Sequence, residues 1–84
     1  MPVISRYEGY VISIRLRNKE HNPPHLHVKY GESEAVFNLE NGELTEGMIP
    51  RKGQEYIKEF ISHYHDKLIL MWETQNFEKL PSLR

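Results

Sequence analysis

Residues Glu20 to Tyr30 read EHNPPHLHVKY, with His21, His25 and His27 inside seven positions and Pro23-Pro24 between the first two histidines. Imidazoles so gathered suit two kinds of chemistry. Neutral rings ligate Zn, Ni or Cu. A pair of rings with an ordinary pKa of about 6.5 also serves as general base and general acid at neutral pH. For the metal, His21, His25 and His27 are the ligand set, with Glu20 or Glu34 as the nearest carboxylates. For acid–base work on RNA, His25 and His27 are the catalytic candidates, with Lys29 or Arg15 stabilising a charged transition state.

A third use is recognition. Arg15, Arg17 and Lys29 with the ring of Tyr30 or Tyr10 would form a small basic and stacking patch of the sort that single-stranded nucleic acid uses. The candidate binding set is therefore His21, His25, His27, Arg15, Arg17, Lys29 and Tyr30. Against all three stands a plain polar strand face whose histidines bond to water or backbone.

Local pattern decides where these groups point. Two prolines hold the chain extended and bias the residue before them away from helix. HLHVKY then alternates with period two, so Leu26, Val28 and Tyr30 share an apolar side, while His25, His27 and Lys29 project from the other. GYVISIRLRN alternates likewise, with Tyr10, Ile12, Ile14 and Leu16 opposite Val11, Ser13, Arg15 and Arg17. In ESEAVFNLE, residues Ala35, Phe37 and Leu39 face inward. Gly31 marks one turn; Asn41-Gly42 is a hairpin signal of the type I′ kind, followed by a short return strand with Leu44.

After Pro50, set at the first helical position, Ile57, Phe60, Ile61, Tyr64, Leu68, Met71 and Trp72 trace one apolar stripe at helical spacing. The expected architecture is α+β: a three- to four-stranded antiparallel meander packed on one face by a single long C-terminal helix. Phe37, Phe60 and Trp72 are expected to anchor its core.

The 84 residues suffice for one small domain over 1–84, with the last few residues loose. There is no cysteine, so a thiolate metal site is excluded. The net charge of −1 does not suit a broad duplex-DNA footprint. No apolar run is long enough for a membrane span, and the first residues lack a signal-peptide pattern. A cytoplasmic protein is the expectation, and an open sheet edge makes a homodimer an option.

MPVISRYEGYVISIRLRN, HNPPHLHVKYGESEAVFNLENGEL and the proline-started helix ending in LILMWE together resemble a family of short bacterial proteins known as a conserved domain of unknown function. Its hallmark reads here as the H-x-P-P-H-x-H of His21, Pro23, Pro24, His25 and His27. Glu20 stands where members often carry Asp, and Leu26 where an aromatic is common. The resemblance implies a small two-gene cassette of toxin–antitoxin type, in which such a protein binds a small protein encoded nearby, or RNA. A transition-metal protein and a metal-independent ribonuclease remain the alternatives.

Overall fold

The computed structural model describes residues 3–14 and 23–83. Among them, five strands and two helices follow one another: β1 Val3–Tyr7, β2 Tyr10–Ser13, β3 His25–Tyr30, β4 Ser33–Asn38, β5 Leu44–Gly47, α1 Arg51–His63 and α2 His65–Thr74. The strands form one antiparallel sheet in the order β1-β2-β3-β4-β5. Each strand pairs with its sequence neighbour, so short turns suffice to build it. The α+β meander is as expected; its strand count and its single helix are not.

The additional strand is β1. It joins β2 through Glu8-Gly9, both at positive φ, the backbone of a tight hairpin whose twist matches its strands. Its sequence hides it. A register shift between Val3 and Ser5 puts Ile4 and Ser5 side by side in buried positions, which destroys the period-two signal.

Two turns differ in outcome. Gly31 lies at positive φ between Tyr30 and Ser33, as expected. The Asn41-Gly42 connection is not a type I′ turn, because only Gly42 has positive φ. Side-chain amides build it instead: Asn38 Oδ1 accepts from the N–H of Glu40 at 2.7 Å, and Asn41 Oδ1 from that of Glu43 at 2.9 Å. Such Asx bonds offer the backbone a longer loop as an alternative to the two-residue turn.

The stripe after Pro50 forms two helices. Pro50 is the residue before α1, one position earlier than expected, and its carbonyl accepts the Gln54 N–H at 3.0 Å. The break falls at Tyr64, with φ −105 and ψ 20. A straight helix over residues 51–74 would run about 36 Å, longer than the 31 Å long axis of the molecule. Bending lets Leu68, Met71 and Trp72 stay over the sheet with Tyr56, Ile57 and Phe60. The Tyr64 hydroxyl donates to the Pro81 carbonyl at 2.9 Å, tying the break to the C-terminal tail.

The core joins the even positions of β3 (Leu26, Val28) and the odd ones of β4 (Ala35, Phe37) to the helices. Phe37 and Phe60 are fully buried and Trp72 nearly so. The tail is packed, contrary to expectation. Leu80 is buried and donates its N–H to the Ile4 carbonyl, while Tyr56 Oη donates to Ser82 Oγ and accepts the Leu83 N–H. No described helix is long and apolar enough to cross a membrane.

Candidate functional site

Proline placement starts the site. Pro24 precedes β3, where its missing N–H costs no ladder bond, and its carbonyl accepts the Leu39 N–H at 2.9 Å. The pleat then begins at His25. Leu26 and Val28 are fully buried; His25 and His27 are half-buried and Lys29 is exposed. By alternation the imidazole of His27 projects opposite Leu26 and Val28, level with Val36 of β4, whereas His25, the first residue of β3 and level with Asn38, keeps contact with the helical layer. The two imidazoles are not merely solvated. His25 packs between the ring of His27 at 5.1 Å and the indole of Trp72 at 4.9 Å, so the site also touches α2.

His25 Nδ1 lies 2.9 Å from the Pro23 carbonyl. A carbonyl only accepts, so Nδ1 carries the hydrogen, and in the neutral ring Nε2 keeps its lone pair. The proline loop thereby selects the tautomer. Around these rings runs an open groove of about 370 Å³ lined by Pro23, His25, His27, Val36, Asn38, Thr45 and Glu46. Its walls come from β3, β4 and the edge strand β5. Among the described residues of this lining, Glu46 is the one carboxylate and there is no Lys or Arg.

The candidate residues separate. His25 and His27 come together. Lys29 is on the same side of the sheet but stands opposite Glu34, outside the groove. Tyr30 lies on the other side, stacked on Tyr10 at 4.2 Å between ring centres, 19° from parallel. Arg15, Arg17, His21 and Glu20 lie outside the described residues. Among those described, no group of three His, Cys, Asp or Glu is placed to hold a metal ion. Val36, Asn38, Thr45 and Glu46 were not among the candidates. Alternation places Val36 and Asn38 outward, but Glu46, two residues from the core-packed Leu44, comes level with Val36 only through the register shift between Val36 and Phe37, and register depends on turn geometry.

The profile described as a domain of unknown function (DUF4160) matches residues 9–73. The chain belongs to that family. The DUF4160 match runs from the β1–β2 turn into α2, so it takes in the whole groove and leaves β1 and the tail outside. No curated protein and no solved structure is similar enough to match. The DUF4160 description names no activity, so the chemistry of the groove carries the functional reading.

Proposed function

We propose that this chain is the protein-binding member of a toxin–antitoxin-like pair and takes its partner in the histidine groove. One observation carries the choice of protein over RNA: among the described residues, the groove offers imidazoles, an amide, a hydroxyl, apolar Val36 and Pro23, and a carboxylate, with no Lys or Arg in its lining. Nucleic-acid affinity rests largely on cations set against phosphates. For a ribonuclease using His25 and His27, Lys29 lies outside the groove and Arg15 outside the described residues. Mixed apolar and polar walls instead suit a polypeptide.

Co-expression with the product of the adjacent gene tests this. The two proteins should elute as one species, and Val36→Arg, which places a bulky cation on the groove floor, should separate them without changing the thermal midpoint of the isolated chain. Independent elution of the parent proteins overturns the reading, as does co-elution that Val36→Arg leaves intact.

A second reading has one observation in its favour. The Pro23 carbonyl orients His25 as outer-shell partners orient metal-ligating histidines. Ligation of a divalent transition metal by His25 and His27, joined by His21, would give stoichiometric heat on zinc titration at neutral pH, lost in His27→Ala. Absence of that heat removes it.

A further inference from the structure

The strand order leaves β5 at one border of the sheet. Thr45, Glu46 and Gly47 are exposed there, and Met48 just beyond is 62% exposed. A border strand presents a row of backbone donors and acceptors to its open side, which makes it a template for another strand. The opposite border is not equivalent, because on β1 the tail delivers the Leu80 N–H to the Ile4 carbonyl. Thr45 and Glu46 are also walls of the histidine groove. A strand laid along β5 would therefore place side chains within reach of that groove.

Charge selects the occupant. Residues 30–50 contain Glu32, Glu34, Glu40, Glu43 and Glu46 and no Lys or Arg. All five carboxylates are exposed. The rest of the chain holds the excess of cations that returns the total to −1. A second copy is a poor occupant, since the antiparallel β5-to-β5 register that sets Glu43 of one copy opposite Glu46 of the other brings like charges together twice, and like charges across strands destabilise. The same carboxylates attract a cationic strand. Polymeric nucleic acid is repelled outright.

We infer that the β5 border, Leu44–Gly47, receives an extended Lys- or Arg-bearing strand of the partner protein, added to the sheet beside the histidine groove. This rests on the protein-binding reading above and specifies the partner's chemistry. The strand gains main-chain hydrogen bonds from β5, ion pairs from Glu43 and Glu46, and apolar contact from Met48. The four residues of β5 and the register shift opposite Val36 and Phe37 keep the seat short, so specificity comes from charge and from the groove more than from ladder length.

The probe is a short end-blocked peptide alternating Val and Lys, titrated into isotope-labelled full chain and followed by amide chemical shifts. Shifts should centre on residues 44–47, fade with added salt, and vanish when the peptide is N-methylated on its bonding edge. The Glu43→Lys/Glu46→Lys variant, with its thermal midpoint unchanged, should bind about tenfold more weakly. Equal binding of a Val/Glu peptide overturns the inference, as do undiminished binding of the N-methylated peptide, shifts mapping elsewhere, or a homodimer protected at the same amides. If the adjacent-gene product stays bound to the double variant but is lost by Val36→Arg, the groove reading stands and the strand inference falls. If it binds the parent chain not at all, the groove reading falls first.

Discussion

Gly53 occupies the first turn of α1 where that helix crosses β2, and a Cβ there would overlap Cε1 and Cζ of the Tyr10 ring. Alanine in a helix normally gains about 1 kcal/mol over glycine, whereas overfilling a packed site costs about 1–3 kcal/mol. Tyr10 cannot yield cheaply, because Tyr30 is stacked behind it. Gly53→Ala should therefore lower the thermal midpoint; a rise would show that the rings move aside freely. The Tyr10 phenol itself is held above its ordinary value of 10.0, first by burial and then by the neighbouring Tyr30. Its neutral form is thus favoured in the fold, so the unfolded chain ionises first. This contribution is complete below about pH 10 and is lost as the pH rises through the higher folded value. Comparing the parent with Tyr10→Phe across that range checks it: the parent should lose stability more steeply with rising pH, and parallel curves would refute the assignment.

Among the elements, the tail offers a direct test. Leu80 is 5% exposed against β1, so Leu80→Ala should cost about 2–5 kcal/mol, read as a lower urea midpoint at unchanged slope. A loss within error would mean that the tail is not docked in solution. The sequence never announced this segment, because its anchors are single residues without periodicity. Strands β3 and β4 were legible, since one side of each is apolar and alternation survives. Strand β1 was not, because its register shift sets two buried residues in succession. The helical stripe was legible while its break was not: Tyr64 belongs to the stripe, and its spacing carries no mark of the turn that separates α1 from α2. Of the site, the direction of His27 could be read from pleating alone, while the contact of His25 with Trp72 could not. Their neighbours across β4 and β5 depend on a loop made by Asn38 and Asn41 side chains, which the Asn41-Gly42 pair misrepresented.

Across the whole chain, charge is divided unevenly along the sequence. Residues 30–50 carry five carboxylates and no Lys or Arg, and most of the compensating cationic excess lies before them, in residues 1–29. Such a division acts at long range and is screened over about 8 Å at physiological ionic strength. Binding of the adjacent-gene product should therefore slow with added salt in its association phase, with dissociation little altered. The opposite split would locate the attraction in contact pairs alone.

The unequal treatment of the two sheet borders also governs how this protein behaves when crowded. Filament growth by sheet extension needs every unit to offer both a donor side and an acceptor side, and the docked tail closes one of them. Such a unit can terminate a stack but cannot pass elongation to the next. Freeing residues 77–83 from β1 would convert a self-terminating particle into a polymerisable one.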